Sequence, residues 1–299
     1  MVFLSLIVRY FNEPFLDEFV DYYFAEGVNM IYILFDTKST IPISDKVKNN
    51  PLVMIIPSET NDTIHENLWK NTNILYSKIR HTSEWFMYID CDEFITTRKH
   101  SQLTICDELK TTFKDTDCIK IPWIMMSCNK RDNDPPNILQ HIVHRWNHDK
   151  KHPHPTNWFK GRCRYNTIQV KCIFKSKIFN HITDHCPSIP SNGGSFRCVD
   201  GVYNRPYALN SSYANLREHD INNALLICHH YRVISRDSCK RKYLNSGFSA
   251  YQGDWKNLWL CDYSEVIDKT LLIKSRNRQK LLENTITPKK NNINDTLSI

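Results

Sequence analysis

The sequence predicts a single α/β domain with a mostly parallel central sheet flanked by helices. In the amino-terminal third, short apolar runs alternate with longer stretches of helical period. The apolar runs are continuous, which indicates strands buried on both faces, as in a parallel sheet. Three runs end in polar or acidic side chains, namely Asn12 with Glu13, Asp36, and Asp90 with Asp92. Parallel strands bring such ends to one edge of a sheet, where ligands usually bind.

Proline and glycine residues set the bounds of the first elements. Pro14 suits the first turn of a helix, and Gly27 suits its end. The predicted elements, in chain order, are a strand over 2–10, a helix between Pro14 and Gly27, strands over 30–35 and 52–56 with Pro57 closing the second, a helix over 64–81 and a strand over 85–89.

The second half of the chain has weaker periodicity. Its predicted elements are a helix over 103–113, strands over 118–126, 168–174 and 224–231, a basic helix over 235–245 and a terminal helix over 262–284. We expect loops over 127–136 and 187–207, and residues 141–164 show no clear period. The expected division is a main domain over 1–250, a helical extension over 251–287 and a disordered tail over 288–299.

Composition excludes several functional classes. With 7 glycines, the chain has no glycine-rich phosphate loop, so the phosphates of a bound nucleotide need another holder, such as a metal. The net charge of +7 mildly favours anionic ligands, but no basic block resembles a nucleic-acid-binding arm. None of the 11 cysteines forms a C-x-x-C pair, which argues against zinc-ribbon and thioredoxin-like sites and leaves disulfides open.

The sequence also predicts a location. Residues 1–11 lack the basic region and cleavage site of a signal peptide and are expected to form a strand. No window approaches the ~18 uncharged apolar residues that a membrane helix needs. We therefore expect a soluble, cytoplasmic protein. The Asn-, Lys- and Ile-rich composition suits an AT-rich genome such as that of a large DNA virus, in which case the location is the host cytoplasm or the virion.

The run over residues 84–94 carries the strongest chemical signal. Its apolar part ends in Asp90, Asp92 and Glu93, and charges that leave a core need water, a partner or a cation. Asp90 and Asp92 are two apart, so their side chains share one face of an extended chain. Two carboxylates on one face suit Mg²⁺ or Mn²⁺. Solvated acids that cap a strand end are the structural alternative.

Several separated segments resemble glycosyltransferases of the GT-A fold, a Rossmann-like α/β arrangement. The resemblance is to family 92 and its family 2-like relatives. It spans roughly residues 5–247, in family order. The segments that carry it are 8–13, 16–19, 27–36, the Asp-x-Asp-Glu-Phe motif within 85–94, 121–123, 171–173 with His185, and 230–232 with Ser235 and Lys242.

The resemblance implies a metal-dependent hexosyltransferase that moves a sugar from a UDP-sugar donor to a hydroxyl of a glycan or glycoprotein. Asp92 would coordinate Mn²⁺ or Mg²⁺, and Asp90 would meet the ribose or a water on the metal. His230 is the candidate third protein ligand. Its neighbour His229 points the opposite way in a strand. Glu93 would support the metal site from behind.

The resemblance also implies nucleotide contacts. Asp36, with Asn12 and Arg9 nearby, would recognise the uracil or ribose. Lys171 would contact phosphates. Glu13 would either contact the nucleotide or favour the start of the first helix through the helix dipole.

Transfer to a hydroxyl needs a general base. Asp200, in a glycine-flanked loop on the acceptor side of the resemblance, is the chosen candidate. The other candidates are Asp132, Asp134, Asp184 and Asp220. Two other functions stay open: a non-catalytic nucleotide-sugar or glycan-binding protein of the same fold, and a nucleotidyltransferase that takes nucleoside triphosphates.

Overall fold

Parallel strands form the first half of the sheet. The computed structural model describes residues 1–58, 64–150, 152, 168–190, 194–213, 216–244, 255–260 and 262–286. The first strands are β1 (Val2–Tyr10), β2 (Met30–Asp36), β3 (Val53–Ser58) and β4 (Ser83–Asp90). They lie side by side in the order β4-β1-β2-β3, and all three pairings are parallel. This confirms the parallel arrangement expected for the amino-terminal third.

Three helices connect these strands: α1 (Leu16–Ala25), α2 (Asp45–Lys48) and α3 (Ile64–Ile79). Gly27 follows α1 with a φ of +90°, in the left-handed region that favours glycine. A Cβ at this position would lie 2.6 Å from Cys106 Cβ, so a side chain is excluded by contact as well. The predicted end of this helix at Gly27 therefore has a steric cause.

The second half supplies the remaining elements. They are β5 (Glu93–Thr97), α4 (Ile105–Lys110), β6 (Cys118–Ser127), α5 (Ile138–His141), β7 (His144–Arg145), β8 (Val170–Lys175), β9 (Cys198–Asp200), α6 (Glu218–Asn223), β10 (Leu226–His230), α7 (Arg236–Leu244), α8 (Trp255–Leu260), β11 (Val266–Ile267) and α9 (Thr270–Ile286).

The sheet as a whole is mixed, which corrects the expectation of a mostly parallel one. Strand β8 lies between β4 and β6 and is antiparallel to both. Strand β8 begins opposite Pro122 and runs back toward the start of β6. Strands β9 and β10 pair with β6 in parallel, whereas β5 is antiparallel to β10. The molecule is one mixed α/β domain with a curled sheet.

Several element bounds differ from the sequence prediction. Pro57 lies inside β3 instead of closing it, which an edge strand permits. Strand β9 falls within the predicted loop over 187–207. The terminal helix begins at Thr270 and not at residue 262, because β11 precedes it. Asp268 Oδ1 accepts from the backbone N–H (3.1 Å) and the hydroxyl (2.7 Å) of Thr270, which fixes this start.

Buried ion pairs attach α9 to the rest of the domain. Lys274 Nζ lies 2.9 Å from Glu26 Oε1, and Arg278 Nη2 lies 3.0 Å from the same oxygen. Glu26 follows α1 and is fully buried. Lys274 also donates to the hydroxyl of Thr97 in β5. The division at residue 250 stays a prediction, and the tail over 288–299 lies outside the described residues.

No helix in the described ranges is both long enough and apolar enough to cross a membrane.

Candidate active site

The candidate site lies where β1 and β4 end. Asp90, the last residue of β4, is in register with Arg9 of β1. Asp90 Oδ1 accepts from Arg9 Nη2 at 2.9 Å, and Asp90 Oδ2 accepts from Lys171 Nζ at 3.0 Å. Burial acts to raise the pKa of Asp90, but the charges of Lys171 and Arg9 outweigh it and hold that pKa well below its usual range. The sheet thus joins three predicted site residues around one charged carboxylate.

Lys171 connects this carboxylate to the segment that follows β8. Its side chain is 2% exposed, and its Nζ also donates to the backbone oxygen of Asp184 at 3.1 Å. Burial acts to lower the pKa of Lys171, but the charge of Asp90 raises it above the usual value. A buried lysine with a charged partner is an uncommon arrangement outside functional sites and ion-pair networks.

Glu93 lies behind the pair and is completely buried. Its Oε2 accepts from the backbone N–H of Asp90 at 2.9 Å and lies 3.2 Å from Lys171 Nζ. Its Oε1 has no hydrogen-bond partner in the described part of the chain. Burial, with the charges of Asp90 and Asp92, raises the pKa of Glu93 to about 8. Glu93 therefore holds its proton to a higher pH than an ordinary glutamate.

Asp92 and His230 meet across the β5–β10 pairing. His230 Nε2 lies 3.7 Å from Asp92 Oδ2, and both side chains are buried. The backbone N–H of Tyr231 donates to the backbone oxygen of Asp92 at 2.8 Å, which fixes the two strand ends together. The ring of Trp123 in β6 packs on the His230 imidazole, with centroids 4.3 Å apart. His229 instead has its Nε2 3.9 Å from Asp268 Oδ1, so the two histidines face different groups.

Asp92 and His230 are the side chains of the site that could hold a cation. No group of three His, Cys, Asp or Glu side chains in the described residues is arranged as a metal-ligand set. Asp92 and His230 present one oxygen and one nitrogen close together, while Arg9 and Lys171 occupy Asp90. A Mn²⁺-type ion held by this pair would have to take its remaining ligands from substrate phosphates and water, and metal binding here stays a prediction.

Asn12 and Asp36 shape the adjacent loop. Asn12 has a φ of +54°, and its Oδ1 accepts from the backbone N–H groups of Thr40 (2.6 Å) and Ile41 (3.0 Å). Asp36 ends β2, and its Oδ1 accepts from the backbone N–H of Lys38 at 2.9 Å. Glu13 lies half-buried between β1 and α1. The nucleotide contacts expected of these residues stay predictions.

Asp200 lies in β9, in register with Lys120 of β6. Its carboxylate accepts from three backbone N–H groups, those of Val202 (2.9 Å), Tyr203 (2.6 Å) and Arg205 (3.0 Å). The carboxylate therefore holds the turn after β9. The role of Asp200 as a general base stays a prediction, and this structure gives it no support.

Two further residues lie at the site, although the sequence analysis gave neither of them a defined role there. Asp184 Oδ1 lies 3.8 Å from Arg9 Nη2, whereas the sequence named Asp184 only among the possible bases. His185 Nδ1 lies 3.1 Å from the backbone oxygen of Val170. Burial and the nearby Lys171 charge lower the pKa of His185 to about 4, so its ring is neutral. Asp184 and His185 follow Lys171 closely in the chain, and this proximity was the sequence feature that could have placed them at the site.

Comparison with known proteins gives a family match. The family model described as Glycosyltransferase family 92 matches residues 20–257. The matched span includes Asp90, Asp92, Lys171 and His230, whereas Arg9 precedes it. No curated protein matches the chain.

Proposed function

The chain belongs to glycosyltransferase family 92, and from this premise we propose that it transfers a sugar from a UDP-sugar to a hydroxyl of a glycan or glycoprotein, with Mn²⁺ or Mg²⁺. One observation carries the proposal: the Asp92–His230 pair and the Arg9–Asp90–Lys171 group lie together at the carboxyl ends of neighbouring strands.

The strand order supports a nucleotide site of the GT-A type at this place. The chain adds β2 and β3 on one side of β1 and then returns to place β4 on the other side. Ligands of open α/β sheets bind where the strand order reverses, at the carboxyl ends of the strands. In this sheet that position is between β1 and β4, where Arg9 and Asp90 lie side by side.

The charges suit a diphosphate. Arg9 and Lys171 are two cations directed at one carboxylate, and phosphate oxygens accept the same charge-assisted hydrogen bonds. Asp92 and His230 would hold the metal ion. A bound metal ion would neutralise the charge that develops on the departing nucleotide.

A donor panel tests the proposal. The purified chain is incubated with UDP-, GDP- and CMP-sugars, with Mn²⁺, with Mg²⁺ or with EDTA, and the released nucleotide is measured. We expect release from a UDP-sugar in the presence of metal and none in EDTA. Release that is equal in EDTA would contradict metal dependence. Pyrophosphate release from nucleoside triphosphates, with no release from any sugar donor, would instead identify a nucleotidyltransferase.

A further inference from the structure

A second cluster of aromatic and charged side chains lies beside the candidate active site. It consists of Trp146, His152, Tyr263 and Glu265, and we call it the aromatic cluster. The His152 and Tyr263 rings are stacked, with centroids 4.0 Å apart. The Trp146 ring lies 5.2 Å from Tyr263 and 5.6 Å from His152, measured between centroids. None of these residues has a role in the proposed donor site.

The sheet places this cluster next to His230. Strand β10 pairs with one edge of β6, where His230 is in register with Met125. The backbone N–H of Trp146 donates to the oxygen of Met125 at 3.1 Å, and this bond must lie on the opposite edge of β6. His230 and Trp146 therefore flank the same residue of β6.

The side chains of Trp146 and His230 also lie on the same face. Trp123 packs on His230, so this face of β6 belongs to the candidate active site. Arg145 is in register with Met126, and its Nε donates to Asp268 on the reverse face at 2.9 Å. Successive side chains of an extended chain point to opposite faces, so Trp146 points toward the active-site face.

Glu265 gives the aromatic cluster a charged rim. Its Oε2 accepts from the backbone N–H of Asn147 at 2.9 Å and lies 2.7 Å from His152 Nε2. Burial acts to raise the pKa of Glu265, but the hydrogen bonds from Asn147 and His152 lower it below the usual value. The Glu265 side chain is 19% exposed, and Trp146 and Tyr263 are half-buried, so the cluster reaches the surface.

Flat rings beside a carboxylate match the chemistry of a sugar. The C–H faces of a pyranose pack on aromatic rings, and its hydroxyls donate to a carboxylate. We propose that the aromatic cluster binds the acceptor, as a hexopyranoside. This inference rests on the proposed glycosyltransferase function.

Binding is tested first, without turnover. Saturation-transfer NMR with the full chain and a panel of methyl hexopyranosides reports contact between a glycoside and protein protons. We expect a signal for at least one glycoside, its loss in Trp146→Ala and Tyr263→Ala, and its partial return in Trp146→Phe, which keeps a ring. Tyr203→Ala is the matched control, because Tyr203 is half-buried near α6 and lies outside the cluster. No signal with any glycoside, or an undiminished signal in both alanine variants, would overturn the inference.

Kinetics then separate the two proposals. With an active donor, Trp146→Ala should raise the acceptor KM about tenfold, the scale of one aromatic contact. Acceptor-free hydrolysis of the same donor should stay within about twofold of wild type, because the donor side is unchanged. An unchanged acceptor KM would overturn the acceptor subsite alone. Absent hydrolysis and transfer in the wild-type chain, with glycoside binding intact, would instead count against the proposed function.

Discussion

Asp92 is the side chain on which the proposed metal chemistry depends most directly. It is buried and lies beside His230, so Asp92→Asn keeps the volume and removes the charge. We expect sugar transfer to fall by about 100-fold or more while the thermal unfolding midpoint stays close to wild type. The assay is nucleotide release with saturating Mn²⁺. Asp45→Asn is the control, since the Asp45 side chain is 90% exposed. A fully active Asp92→Asn variant would remove Asp92 from the metal site.

His148 gives a prediction about pH that is independent of the site. Burial, with the nearby charge of Arg145, lowers the pKa of His148 from 6.5 to about 4. Between these values the unfolded chain binds a proton that the folded chain does not, so this residue makes stability fall as pH falls through that window. His148→Gln should reduce this loss, as measured by urea unfolding at pH 7 and pH 5.

The matched control for this measurement is His81→Gln, because His81 is exposed. That substitution should leave the pH dependence of unfolding at its wild-type value. If His148→Gln and wild type lose the same free energy of unfolding between the two pH values, His148 is not buried in its neutral form.

At the scale of elements, α9 depends on one buried charge. Lys274 is 4% exposed and pairs with the fully buried Glu26. Lys274→Met leaves this carboxylate with less compensation, and removing one partner of a buried pair typically costs about 3–5 kcal/mol. Because Arg278 also contacts Glu26, we expect the lower part of that range. Denaturant unfolding measures the loss.

Two further variants test the cause. Adding Glu26→Gln to Lys274→Met should recover part of the lost free energy of unfolding, since the unpaired charge is then gone. Arg276→Met is the control on the same helix, because Arg276 is exposed. A Lys274→Met variant as stable as the control would mean that α9 is held by its apolar contacts alone.

At the scale of the whole molecule, the strands that consist of continuous apolar runs were predicted correctly from the sequence. The bounds of β1, β2 and β4 lie within two residues of those expected. Strand β5 was not predicted, because its pairing partner β10 lies far along the chain. The antiparallel course of β8 was missed for the same reason: pairing direction is set by where the chain enters the sheet.

The site was predictable in its residue types and less so in its contacts. The sequence predicted Asp90, Lys171 and Arg9 as site residues. That Asp90 lies between the two cations depends on the register of the strands that carry them. The raised pKa of Glu93 depends on its burial among other acids, which no short motif encodes. Asp200 was chosen for its glycine-flanked loop, and its hydrogen bonds to backbone amides become visible only in three dimensions.

The position of Pro57 has a consequence for association between chains. In the described residues β3 pairs only with β2, so its other side is an open hydrogen-bonding edge. Leu52 and Ser58 direct their carbonyls to β2, so the alternate residues, Pro57 among them, face outward. Proline has no N–H, and it therefore removes one donor that a second copy of the chain needs to add a strand there.

The neighbouring Leu52 and Met54 are 48% and 47% exposed, so the addition of a strand would be favoured by burial of their apolar surface. Pro57→Val should therefore increase concentration-dependent aggregation at temperatures below unfolding, as followed by light scattering. Pro57→Ala restores the N–H with less apolar surface and should have a smaller effect. Equal scattering from all three proteins would show that the edge is protected by something other than Pro57.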